Sequence, residues 1–227
     1  MIPLRDVIPS RTTPYITITI IVLNALAWGF ELALPRDTLP LFLHVYGVVP
    51  ADFHPSTLIT SMFLHGSWMH VLGNMWYLWI FGDNVEDRVG HGRFIIFYLL
   101  CGGVAALGQI AIDPTSALPT IGASGAIAGV MGAYFVLYPR SRVLTLIPLI
   151  IYWEIVELPA ILLLGFWFLM QLLSAGTIAV TASTGKGGGV AFAAHVAGFI
   201  VGMIGVLVFR KRQVSAWEAD HEPDFKA

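Results

Sequence analysis

Six long apolar runs divide this chain, and short stretches rich in charge or proline separate them. The first run, residues 15–34, follows a polar segment, residues 1–14, that carries Pro3, Pro9 and Pro14. It is long enough to cross a bilayer, which takes about 20 apolar residues in an α-helix. It also exceeds the roughly 7–15-residue core of a cleaved signal peptide, so it reads as an uncleaved span. Residues 35–66 break the pattern with Pro35, Pro40, Pro50 and Pro55. Their apolar pieces, 39–49 and 57–64, are short and predict an interfacial loop with short amphipathic helices. Gly66-Ser67 then offers a break and an N-cap.

The second run covers residues 67–82, extendable to 89, and a charged turn follows it. The third covers 94–112 and ends at Asp113-Pro114. The fourth covers 120–138 and ends at Pro139-Arg140-Ser141-Arg142. Residues 143–157 are apolar but carry Pro148, Glu154 and Glu157, which predicts a loop touching the membrane interface. The fifth run covers 158–178, and the Gly-, Ser- and Thr-rich residues 181–189 read as a mobile linker. The sixth covers 190–209 and stops at Arg210-Lys211-Arg212. The fold expected is therefore an all-α membrane protein, a six-transmembrane-helix bundle over residues 15–212. Residues 1–14 precede it, and residues 213–227 form a polar tail expected to be disordered.

Composition agrees with lipid as the solvent. The chain is 57% hydrophobic and 11% charged, whereas soluble domains are about 25% charged. The net charge of −2 says nothing about nucleic acid, but no basic stripe with interleaved aromatics appears, so no nucleic-acid partner is expected. Cys101 is the only cysteine, which excludes an intrachain disulfide and a cysteine metal site. With six spans, 10 of the 12 Lys and Arg residues fall on the side that holds both termini; Arg36 and Lys186 fall on the other. That asymmetry predicts cytoplasmic termini.

Polar residues then stand out by depth. His70, Ser124 and His195 each lie about three to five residues into a run that enters from the outer face. At 1.5 Å per residue they share a level roughly 5–8 Å below the helix starts. Taken alone, Ser124 between Gly122 and Gly125 reads as helix packing, since Gly125 and Gly129 make a GxxxG spacing. A lone His in a span likewise reads as a packing residue. Together they have a chemical logic. Ser124 needs a base, and His195 supplies one if the fourth and sixth spans touch. Gly125 and Gly129 thin one helix, and Ala194, Gly198 and Gly202 thin the other. No carboxylate lies within a turn of either residue, so a two-residue dyad is expected. Asn74 sits one turn below His70 on the same face. Those two side chains and the unpaired N–H groups at the start of the fourth span would serve as oxyanion donors.

These residues resemble a known family. Gly122-Ala123-Ser124-Gly125 is similar to the GxSG of rhomboid intramembrane serine proteases. Residues 65–74 match their HxxxxHxxxN, from His65 through His70 to Asn74. Ala194-His195 with Gly198 and Gly202 matches AHxxGxxxG, and Glu86 with Gly90 resembles the turn after the second span. The resemblance covers residues 15–212 in order. It implies Ser124 as nucleophile, His195 as base and then acid, and His70 and Asn74 as oxyanion stabilisers. His65 would be structural, and Gly122 and Gly125 would shape the start of the fourth span. It also implies a 35–66 loop set partly in the outer leaflet, a fifth span acting as a lateral gate and the 181–189 linker as a cap.

The expected function is intramembrane serine endopeptidase activity on transmembrane protein substrates near the outer face. The expected setting is a prokaryotic inner membrane, with the lipid bilayer as partner and neither metal nor cofactor required. The alternative is a non-catalytic rhomboid-like protein that binds or chaperones membrane helices. HExxH is absent, which disfavours a zinc protease. No two spans carry Asp in their cores, which disfavours an aspartyl one.

Overall fold

The computed structural model describes residues 1–148, 152–182 and 191–211. The linker expected at 181–189 lies outside them from residue 183 on, as does the tail expected at 213–227. The helices are α1 (Tyr15–Ala33), α2 (Leu39–Tyr46), α3 (Thr57–Thr60), α4 (Trp68–Val89), α5 (His91–Ile112), α6 (Ser124–Leu137), α7 (Ala160–Ala182) and α8 (Phe192–Phe209). Three strands, β1 (Ile2–Asp6), β2 (Arg142–Pro148) and β3 (Trp153–Pro159), accompany them. The protein is thus mostly helical. Among the described residues α1, α5 and α8 are long and apolar enough to cross a membrane by length and composition. Outward-facing side chains such as Leu26, Trp79, Leu162 and Val208 are more than half exposed. Such an apolar exterior is a liability in water and suits contact with lipid.

Helix α6 is the centre of the bundle. Every residue from Gly125 to Tyr134 is buried, and α4, α5, α7 and α8 all pack on it. Small residues make this possible. A Cβ on Gly129 would lie 2.5 Å from that of Cys101 in α5, and one on Gly132 would overlap the Phe199 carbonyl in α8. Helix α4 turns Val71, Asn74, Leu78, Phe81 and Val85 inward, the three- and four-residue spacing of one helix face.

Several boundaries depart from the sequence-based expectation. Helix α7 runs to Ala182 rather than residue 178, so the first two residues of the expected linker are helix. Helix α6 begins at Ser124, not at residue 120. Pro119 precedes an extended segment in which Val48 and Thr120 exchange both backbone hydrogen bonds (3.0 and 2.8 Å), and Gly122 takes φ +119°. Ser124 is therefore the first helical residue rather than one a turn inside. Helix α5 begins at His91 rather than residue 94, because Gly90 at φ +90° lets α4 stop and α5 start with no loop. The expected charged turn is largely helix. Glu86 is buried within α4, and its carboxylate accepts from the N–H groups of Ile16 (2.9 Å) and Thr17 (2.8 Å). Those are free donors of the first turn of α1, so Glu86 caps that helix from outside.

The larger correction is the sheet, since an all-α chain was expected. Residues 143–148 and 153–157, expected as part of a loop, belong to antiparallel β2 and β3, and residues 2–6 of the polar N-terminal segment add β1 in the order β1-β2-β3. Alternation explains it. Val143 and Thr145 are buried while Arg142, Leu144 and Leu146 are not, a period of two in β-branched residues. Strand β1 runs along α4, where Trp76 Nε1 donates to the Pro3 carbonyl at 2.7 Å.

At the end of β1, Tyr134 donates its hydroxyl to Asp6 Oδ2 at 2.7 Å. Burial pushes Asp6 up to about 6, a rise that the Tyr134 bond opposes and Asp83 adds to. An acid raised in the folded state contributes stability below its unfolded value and loses it as pH rises through the folded one. Asp6→Asn keeps an acceptor for Tyr134 and removes the charge. Its melting temperature in detergent should exceed that of the wild type above pH 7, and the gain should shrink below pH 5. An equal gain at both would refute this account of Asp6.

Candidate active site

Helices α4, α6 and α8 all begin at one end of the bundle, and a cavity of about 790 Å³ opens there. His70, Asn74, Ser124 and His195 all line it. Each owes its position to a local feature. Ser67 caps α4, its side-chain oxygen accepting from the His70 N–H at 3.2 Å. That sets His70 in the first turn and Asn74 one turn on. Helix α6 starts after Ala123, whose side chain gives no capping bond. The first N–H groups of α6 thus lack both an intrahelical acceptor and a side-chain cap.

The contact between α6 and α8 brings two of these residues together. A Cβ on Gly198 would overlap the Gly125 carbonyl oxygen, and one on Gly202 would overlap that of Gly129. The backbones touch only because glycine stands at each point. At that closeness His195 Nε2 lies 2.8 Å from Ser124 Oγ. His195 itself is buried, at 9% exposure.

Gly122 holds the third corner. Its φ of +119° excludes other residues without strain. Its missing side chain also makes room for donors: a Cβ there would sit 2.6 Å from His70 Nε2 and 3.6 Å from Asn74 Nδ2. The His70 ring is oriented by Gly66, whose N–H donates to Nδ1 at 3.4 Å. That leaves Nε2 as the protonated, donating nitrogen. Asn74 Nδ2 lies 2.9 Å from His65 Nε2, which uses one of its two hydrogens and leaves the other. His65 is buried, and burial together with the nearby His70 pushes it down to about 4. It is neutral and holds the Asn74 amide in place.

Two residues went unnoticed in the sequence. Glu31 is buried in α1, and its carboxylate accepts from the His65 backbone N–H (3.2 and 3.3 Å). It ties the loop before α4 to the first helix. Gln171 in α7 brings Oε1 within 2.8 Å of His195 Nδ1. Trp167, one turn earlier on α7, packs its ring against His195 at 5.9 Å between centroids. The available signal was a polar residue inside an apolar run, which usually faces a partner or a cavity. Among the described residues no three His, Cys, Asp or Glu side chains cluster as metal ligands.

A serine hydroxyl on a buried histidine, beside converging donors, has the geometry that acyl transfer needs. The Rhomboid domain family matches residues 52–212. The chain belongs to the rhomboid family. It is 28% identical to Rhomboid-like protein 11, chloroplastic, of Arabidopsis thaliana over 183 residues, 78% of this chain and 60% of that protein. It is 31% identical to the putative rhomboid protease YdcA of Bacillus subtilis over 127 residues, 55% of this chain and 62% of that one. The rhomboid protease GluP of the same bacterium is 38% identical over 76 residues, 34% of this chain and 14% of GluP. The chain thus spans less than two thirds of the length of these relatives. Family membership and the apolar helices identify this rhomboid as an integral membrane protein.

Proposed function

We propose that this rhomboid is a serine endopeptidase that cleaves transmembrane proteins within the membrane, close to its outer face. The observation that carries the reading is the 2.8 Å contact between Ser124 Oγ and His195 Nε2. In the first step Ser124 gives its proton to Nε2 and attacks the scissile carbonyl carbon. The oxyanion that forms is met by His70 Nε2–H, the free Asn74 hydrogen and the first N–H groups of α6. The intermediate collapses, the carbon–nitrogen bond breaks, and His195 returns the proton to the leaving amine. Water then gives a proton to His195 and attacks the acyl-enzyme, which releases the new carboxyl end and regenerates Ser124. The names of the two Bacillus subtilis relatives support the same chemistry.

In this reading α1, α4, α5, α6, α7 and α8 are six spans of a membrane domain over residues 15–212. The basic residues keep both termini cytoplasmic, and the membrane is a prokaryotic inner membrane. Helix α6 has 14 residues, roughly 21 Å at 1.5 Å each, short of a hydrocarbon core of about 30 Å. The non-helical residues 119–123 before it make up the difference. Irregular backbone at that depth is tolerated where it lines a cavity, and Pro119, Thr120 and Ile121 do line this one.

A fluorophosphonate tests the nucleophile directly. The wild type in detergent should take up one label per chain, and Ser124→Ala should take up none. Equal labelling of that variant would assign the reaction to a different residue.

A further inference from the structure

We propose that Gln171 is a positioning residue for His195, one that selects the imidazole tautomer able to act as base. The proposal rests on the Ser124–His195 reading above and adds a third side chain to it. Ser124 transfers its proton only to a bare Nε2. In a neutral imidazole that requires the hydrogen to sit on Nδ1. Gln171 Oε1 stands 2.8 Å from Nδ1, an acceptor facing the nitrogen that must donate. The other ring nitrogen is 2.8 Å from Ser124 Oγ, so the two contacts lie on opposite sides of one ring. The carboxamide, the imidazole and the hydroxyl form one relay across α7, α8 and α6.

Helix geometry explains how one residue does this. Trp167 and Gln171 are four residues apart on α7 and share a face. Trp167 packs its ring on the imidazole while Gln171 holds its edge. Phe192, on α8 itself, meets the ring edge-on at 6.3 Å. His70, Tyr77 and Asp113 are the other titratable side chains that line the cavity. No carboxylate among the described residues contacts His195. An amide fills the place by geometry: it accepts one hydrogen and cannot remove the proton from Nδ1. The oxygen and nitrogen of Gln171 follow from this assignment. With the amide turned over, its NH₂ would face Nδ1, Nε2 would carry the hydrogen, and Ser124 would have no base.

The experiment uses the full chain in detergent micelles with ¹⁵N-labelled histidine. In wild type and in catalytically dead Ser124→Ala, the His195 resonances should report Nδ1–H with a bare Nε2. In Gln171→Met, similar in length but apolar, the population should shift toward Nε2–H. Turnover of a single-span substrate should then fall on the order of 10-fold in kcat, about the worth of one hydrogen bond, with KM nearly unchanged. Gln171→Glu keeps an acceptor and should restore kcat to within about 3-fold of wild type. An Nε2–H tautomer in the wild type overturns the proposal, as does a Gln171→Met that keeps both tautomer and kcat. If Gln171→Met does not fold, the wild-type tautomer and the Gln171→Glu rate decide. Full activity in Ser124→Ala would instead overturn the underlying reading, while the tautomer in that variant still reports whether Gln171 sets the ring.

Discussion

Replacing His195 by alanine is expected to lower peptide-bond cleavage by about 10³-fold or more. The serine hydroxyl is a weak nucleophile until a base accepts its proton, and among the described residues His195 is the one hydrogen-bonded to it, at 2.8 Å. Initial rates on a single-span substrate in proteoliposomes measure the effect. The fold should survive, because the variant removes a ring from the edge of a cavity and leaves the glycine contacts beside it intact. A second comparison sharpens the test. Groups that act as one unit are not additive, so Ser124→Ala with His195→Ala should be no slower than Ser124→Ala alone. A His195→Ala enzyme that keeps more than about a tenth of the wild-type rate, far above the residue expected without a base, would point to another base. His70 would be the first to examine.

The residues that matter here were legible to different degrees, for physical reasons. Ser124 and His195 could be paired from sequence because small residues on two spans mark where backbones approach, although Ser124 opens α6 and does not sit at the depth that a helical count from residue 120 gives. His70 and Asn74 followed from the helical count in α4. Gln171 could not be assigned, because the direction in which α7 turns depends on how Trp167 and Phe168 pack against α8, not on its own pattern. Glu31 is a carboxylate within an apolar run, and its partner is a backbone N–H some thirty residues away. No local pattern names such a partner. The sheet was missed for a related reason. Val143 to Ile147 alternates as a strand does, but one of its two partners, β1, is a five-residue piece at the far end of the chain. The start of α6 was misread by four residues because its boundary is set by a bridge to Val48 and by the backbone angle of Gly122, both tertiary facts.

Gly198→Val is expected to cost both stability and activity, and the two losses have one origin. A Cβ at Gly198 would overlap the Gly125 carbonyl oxygen, which belongs to helix backbone and has no rotamer to yield. The helices must separate or tilt. Overpacking of this kind costs about 1–3 kcal/mol, occasionally more, and β-branching adds a small helix penalty. The displacement also falls on the reaction. Gly198 lies one turn beyond His195 on α8, and Gly125 follows Ser124 on α6, so separation there lengthens the Ser124–His195 contact. A misplacement of about 1 Å is enough for a loss on the order of 10²-fold. Gly198→Ala should show the same signs with smaller size. Gly103→Ala in α5 is the control, since a Cβ there meets nothing within 4 Å. It should keep its activity and melt no lower than wild type, because alanine favours helix over glycine by about 1 kcal/mol. Melting in detergent and kcat on one substrate, measured for all three variants, separate the effects. If Gly198→Val melts and cleaves like Gly103→Ala, the close α6–α8 crossing does not exist in the working protein, and the base is not carried to the serine by those glycines.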